Sequence, residues 1–139
     1  MNYRPATTSD ASALIGLMSE LGYAHTKESI AANLQRVEDR GGSVFVAMQE
    51  GLIVGCVCAI IDVRLAAGEC GEIVSLVVSG EHRKKGVGKG LIKHAEDWLG
   101  HHTHSIRVRA DVKRGDAHEF YKGLGYEEEK SQKLFRKVV

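Results

Sequence analysis

Apolar positions along the chain fall into two periods, and the change from one to the other marks the elements. Residues 2–5 suit a short edge strand ending at Pro5. Ala13, Leu14, Leu17, Met18 and Leu21 recur at helical spacing behind the capping cluster Thr7-Thr8-Ser9-Asp10, and Gly22 follows. A second helix is predicted over Lys27 to Asp39, with Ile30, Leu34 and Val37 inward and Gly41-Gly42 as its stop. Val44 to Met48 then reads as a strand, Gln49-Glu50-Gly51 as a turn and Leu52 to Val63 as a long apolar strand, together a hairpin. Arg64 to Gly71 reads as a loop. Ile73, Val74, Leu76, Val77 and Val78 form a β-branched run that suits a strand covered on both faces. Helical spacing returns at Val87, Leu91, Ile92, Ala95 and Leu99. Ile106, Val108, Ala110 and Val112 alternate with Arg107, Arg109 and Asp111, the mark of a half-covered strand. A short helix over Arg114 to Gly123 follows, with Ala117, Phe120, Tyr121 and Leu124 inward, and Gln132 to Lys137 reads as a last strand.

The assembled order is β-α-α-β-β-β-α-β-α-β-β. It predicts an α/β (α+β) fold, a mixed and mostly antiparallel sheet flanked by helices. The strand-helix-strand passage from 72 to 112 requires a right-handed crossover between parallel strands. At 139 residues the chain suits a single domain, 1–139, with a real core.

Chemistry concentrates where the apolar strand from Glu72 gives way to Arg83-Lys84-Lys85-Gly86-Val87-Gly88-Lys89-Gly90. A strand feeding a glycine-rich turn into a helix start makes an anion site. The first helical N–H groups lack partners within the helix, and the dipole there favours negative charge. Glycine lets a phosphate approach the backbone, and the lysines and arginine add formal charge. A P-loop is excluded because Gly90, not Ser or Thr, follows Lys89. A dinucleotide fingerprint fits poorly: there is no third glycine at 91 and no acid about twenty residues on.

Net charge of +1 gives no global pull toward nucleic acid or a membrane. No stretch approaches the ~20 apolar residues of a membrane helix, and Met1 to Pro5 carries no apolar signal region. Of three cysteines, Cys56 and Cys58 share one strand face and read as small buried hydrophobes in a reducing cytoplasm. His101, His102 and His104 lack helical i, i+4 spacing and a nearby acid or cysteine, so they read as a solvated turn and no metal is expected.

The turn Arg83-Lys84-Lys85-Gly86-Val87-Gly88 resembles motif A of the GNAT superfamily of N-acetyltransferases, Arg/Gln-x-x-Gly-x-Gly/Ala. Ala117-His118-Glu119-Phe120-Tyr121-Lys122-Gly123-Leu124-Gly125-Tyr126 resembles its motif B. The two stand in the right order with a plausible gap, over roughly residues 44–137. The resemblance is to a small, single-domain, bacterial-type member. It implies acetyl-CoA as co-substrate, with its pyrophosphate on the turn (Arg83, Lys84, Lys85, Gly86, Val87, Gly88, Lys89). The pantetheine arm would lie along Leu76, Val77 and Val78, in a gap where the central strand parts from the next one. Glu72 stands where histone-acetylating members carry a general base, and Tyr121 stands where motif B places a tyrosine beside the CoA sulfur. Each has a second reading: Glu72 as the ion-pair partner of Arg107 or Arg109, Tyr121 as a core aromatic. Arg114 occupies the place of an asparagine that contacts the CoA arm in many relatives, and it either takes over that contact or points elsewhere.

Three functions remain: an N-acetyltransferase acting on a small-molecule or protein amine, a silent acyl-CoA-binding or sensing module, and a nucleic-acid-binding domain. The last is weakest, because aromatics are few and no stacking platform is evident. The expected protein is cytoplasmic and uses an amine acceptor, and a homodimer is compatible with it. Its acceptor site would come largely from about Glu20 to Asp39, where Glu20, Glu28, Glu38 and Asp39 stand against Lys27, Arg36 and the adjoining Arg40 with no decisive excess of either sign.

Overall fold

The computed structural model describes all 139 residues as two compact units, Met1–Val108 and Arg109–Val139. The first holds β1 (Asn2–Pro5), α1 (Ala11–Leu21), α2 (Lys27–Asp39), β2 (Ser43–Gln49), β3 (Leu52–Arg64), β4 (Gly68–Val78), α3 (Val87–Gly100) and β5 (Ile106–Val108). The second holds α4 (Gly115–Gly123). One sheet runs in the order β1-β2-β3-β4-β5. The first three pairings are antiparallel, and β4 with β5 is parallel.

Helices α1 and α2 cover one face through Ala11, Leu14, Leu17 and Ile30, packed with Val46, Cys56 and Val77 of the sheet. Ala13, expected inward, is exposed, and Ala11 takes its place in the core. Asp10 does not cap α1 with its side chain. Its carboxylate turns back to accept the Thr7 N–H at 2.8 Å and a fork from Arg4, with both oxygens at 2.8 Å. Helix α2 is capped by Thr26, whose hydroxyl accepts from the Ser29 N–H at 3.1 Å.

Helix α3 lies on the other face, with Val87, Leu91, Ile92, Ala95 and Leu99 all buried at the predicted spacing. Its close approach depends on glycines opposite it. A Cβ on Gly55 would stand 3.0 Å from Leu91 Cδ1, and one on Gly71 would stand 2.9 Å from Leu99 Cδ2. Gly90, the last glycine of the glycine-rich run, lies within the helix. A Cβ there would fall on the Tyr3 hydroxyl, and the Tyr3 ring stacks on His94 with centroids 4.5 Å apart.

Three strand assignments also differ from the sequence reading. The segment read as a loop from Arg64 begins β4 at Gly68, because the ladder continues to the Arg64–Gly68 pair. The strand expected over 105–112 is only Ile106–Val108, paired with Gly71–Ile73. The last strand, Gln132–Lys137, does not form: residues 124–139 carry neither helix nor strand. A strand exists by pairing its backbone groups, and without a ladder Leu134 and Phe135 stay 82% and 86% exposed.

Candidate active site

Strand β4 changes course at its middle. Cys56 pairs with Val77 and Cys58 with Val74, so one residue of β3 faces two of β4. That is a bulge, and Ser75 within it holds φ 56°. A non-glycine residue in the left-handed region costs on the order of 1 kcal/mol and is kept only where neighbours enforce it. The bulge returns Val77 to the α1/α2 face, in the same core as Cys56. Pairing with β5 stops just before it, at Ile73–Val108. From Val74 to Val78, β4 therefore pairs with β3 alone, and its other edge is open. The Ser79 N–H donates to the Val54 carbonyl at 2.8 Å. By the alternation of an antiparallel ladder, the Val78 amide then faces the open edge.

Glu72 sits in the middle row of the short β4–β5 ladder, opposite Arg107. It is 8% exposed. Arg107 Nε donates to Glu72 Oε1 at 2.6 Å, and its Nη2 donates to Asp62 Oδ2 at 2.5 Å. Arg64 Nε donates to the same Asp62 oxygen at 2.7 Å. Asp62, then Glu72, push the Arg107 guanidinium pKa up, and Arg107 in turn holds the Asp62 carboxyl below its ordinary range. Of the two partners foreseen for Glu72, Arg107 is in contact with it. A parallel ladder puts directly opposite residues on one face, which sequence spacing alone does not specify.

Beyond β4, a short 3-10 turn (Gly80–His82) leads into the basic segment. Lys84 and Gly86 both adopt the left-handed conformation, with φ 61° and 82°. Gly86 is the N-cap of α3, and no side-chain oxygen caps that end. Nor does its first turn hold an acidic residue, whereas α2 has both a capping hydroxyl and Glu28. The α3 start is thus a cluster of amides and positive dipole without a protein anion. Lys84, Lys85 and Lys89 are exposed around it, and the Val87 side chain is buried, so Val87 offers only its backbone. Arg83 is held back. Its Nε donates to the Val78 carbonyl at 3.2 Å, and its guanidinium stands 3.6 Å from Glu20.

Leu76 and Val78 are half-buried after the bulge, while Val77 is buried in the core. The sequence marked this strand but not its bulge. Ser75, the one polar residue in the run from Ile73 to Val78, was the available signal.

In the second unit, Tyr121 lies on α4 with its ring edge-on to Phe120 and Tyr126, centroids 5.2 and 5.9 Å away. Burial pushes its phenol up, against a smaller opposing effect of the Arg114 charge. Such a phenol is a proton donor rather than an anion at neutral pH. The Arg114 side chain is 61% exposed and lies 3.8 Å from Asp116. His118 Nε2 is 2.8 Å from the Asp111 carbonyl. No helix is long and apolar enough to cross a membrane.

The fold has counterparts in known proteins. The Acetyltransferase (GNAT) family model matches residues 12–126. An uncharacterized N-acetyltransferase of Bacillus subtilis is 33% identical over 133 residues, covering 88% of this chain and 87% of that protein. The aminoalkylphosphonate N-acetyltransferase of Salmonella typhimurium is 30% identical over 132 residues, covering 90% of this chain and 84% of its own. An aminoglycoside N-acetyltransferase solved in complex with CoA shares the fold with a TM-score of 0.85 at 19% identity, over 99% of this chain and 95% of that one. The chain belongs to the acetyltransferase (GNAT) family and is an acetyl-CoA-dependent acetyltransferase.

Proposed function

We propose that this protein moves the acetyl group of acetyl-CoA to a primary amine of a small molecule or protein, by direct attack within a ternary complex. The observation that carries the reading is the open edge of β4 beyond Ile73, bounded by the Glu72 carboxylate at one end and the uncapped start of α3 at the other. An extended pantetheine arm can bond to such an edge as an added strand would. In this reading the arm lies along Leu76, Val77 and Val78, with backbone groups of Leu76 and Val78 turned toward it and Val77 paired to β3. The amides of residues 84 to 89 take the pyrophosphate, and the charges of Arg83, Lys84, Lys85 and Lys89 surround it. The match across 12–126 spans both units and supports one catalytic domain.

The chemistry follows from the amine. An alkylamine has a pKa near ~10, so at neutral pH it is mostly ammonium and cannot attack. Glu72 takes one ammonium proton, directly or through water. The nitrogen lone pair then forms a bond to the thioester carbon, and the Val78 amide steadies the developing oxyanion. As the carbon–sulfur bond breaks, Tyr121 gives its proton to the thiolate, and the second amine proton restores the phenol. The products are the N-acetyl amine and CoA thiol.

The Glu72–Arg107 ion pair favours a second reading, in which Glu72 braces the sheet and the chain binds acyl-CoA without turning it over. Release of CoA thiol separates the two, measured with acetyl-CoA and a panel of amines that begins with aminoalkylphosphonates. Amine-dependent thiol release is expected. Tight acetyl-CoA binding with no release above hydrolysis for any amine would leave the binding-module reading standing.

A further inference from the structure

We infer that Glu20 is a positioning residue of the acetyl-CoA site, a role that rests on the reading of residues 84 to 89 as the pyrophosphate turn. Glu20 lies in the last turn of α1, where the carbonyl end of the helix dipole disfavours a carboxylate. Its placement needs another cause, and the structure supplies one across 60 residues of sequence. Glu20 Oε1 accepts the Gly80 N–H at 3.0 Å, and the same oxygen stands 3.6 Å from Arg83 Nη2. Gly80 stands two residues after the end of β4, and Arg83 is the first residue of the basic turn. One carboxylate therefore holds the segment between β4 and α3 both near its start and at its middle.

The other ties are local to the segment and to β4. Ser79 Oγ and His82 Nδ1 are 2.7 Å apart, and the His82 N–H donates to the Ser79 carbonyl at 2.9 Å. Arg83 Nε reaches the Val78 carbonyl at 3.2 Å. Glu20 thus links this turn to α1. Its grip on the Gly80 amide fixes where the chain leaves the open edge of β4. Its charge beside Arg83 holds that guanidinium near the Val78 carbonyl, at the start of the turn. Both ties keep the amides of residues 84 to 89 in place for a diphosphate, without contact between Glu20 and the ligand.

Calorimetric titration with CoA tests this on the whole chain, with amide hydrogen exchange at Gly80 as a second readout. Glu20→Ala is expected to weaken CoA binding by about fivefold and to speed exchange at Gly80, with little change in thermal midpoint. Glu20→Gln keeps an oxygen for the Gly80 amide and should stay within about twofold of the parent. Glu20→Asp keeps the charge but withdraws it from Gly80, and should behave like the alanine variant. Gly86→Asp, which puts a carboxylate at the turn itself, is the control for the underlying reading. Weakened binding in Gly86→Asp with parent-like binding in folded Glu20→Ala and Glu20→Asp would overturn the role of Glu20 alone. Parent-like binding in folded Gly86→Asp would overturn the phosphate-turn reading and the Glu20 inference with it.

Discussion

Replacing Glu72 with glutamine separates the two roles its surroundings allow, because the side chain keeps its shape and loses only its charge. The structural cost can be worked from the ion pair. At a charge separation of ~4 Å and an effective dielectric of about 20, the gross attraction to Arg107 is about 4 kcal/mol. The side chains of Arg107 and Glu72 are 23% and 11% exposed, and Arg107 keeps Asp62 at 2.5 Å, so no cation is stranded. A net loss of about 1–2 kcal/mol follows, or roughly 3–7 °C in thermal midpoint for a chain this size. The catalytic cost has a different signature. At pH 7 only ~10⁻³ of an ordinary alkylamine is unprotonated. An enzyme without its base must wait for that fraction, so its rate should climb about tenfold per pH unit while the parent rises far less. Glu72→Gln is therefore expected to lower kcat/KM by about 10²-fold or more at pH 7, with the deficit shrinking toward pH 9. The assay is thiol release against pH with a reactive amine, alongside a thermal melt. A variant that melts several degrees lower but keeps the parent's pH–rate profile would refute the base role and leave Glu72 as a brace between β4 and β5.

Tyr121→Phe keeps the ring among Phe120 and Tyr126 and removes only the hydroxyl. It should leave CoA affinity and stability nearly unchanged and lower kcat roughly 10²-fold; a much smaller loss with chemistry rate-limiting would make Tyr121 a packing residue. Gly90→Ala gains up to about 1 kcal/mol of helix propensity but drives a methyl onto the Tyr3 hydroxyl, so it should destabilise by about 1–2 kcal/mol in urea melts. In a Tyr3→Ala background the same change should stabilise. Arg4, together with the Thr7 amide, holds the Asp10 carboxyl down to about 2. Its stabilising effect is thus complete above the unfolded value near ~4 and disappears as pH falls through about 2. Because the Arg4 side chain is 39% exposed, the parent should exceed Asp10→Asn by only about 1–2 kcal/mol at pH 7. That gap should close in urea melts at pH 2.

What local sequence settles, it settled here. The period of apolar residues set the inner faces of α2 and α3, because burial of one helical stripe needs no knowledge of its partner. Glycine before a basic helix start marked the uncapped N-terminus of α3, because uncapped amides are a local property. Paired motifs at a set separation named the family. The rest depended on which segments meet. The bulge at Ser75 is a mismatch between two strands and has no meaning in one. Arg107 became the partner of Glu72 through a parallel register reached only after α3 crosses over. Gly90 was legible as a glycine, yet its reason is a tyrosine hydroxyl arriving from β1. Glu20 was one charge among several until folding brought the end of α1 to Gly80. The expected last strand failed for the same reason: the apolar pair Leu134-Phe135 permits a strand, but only a paired neighbour makes one.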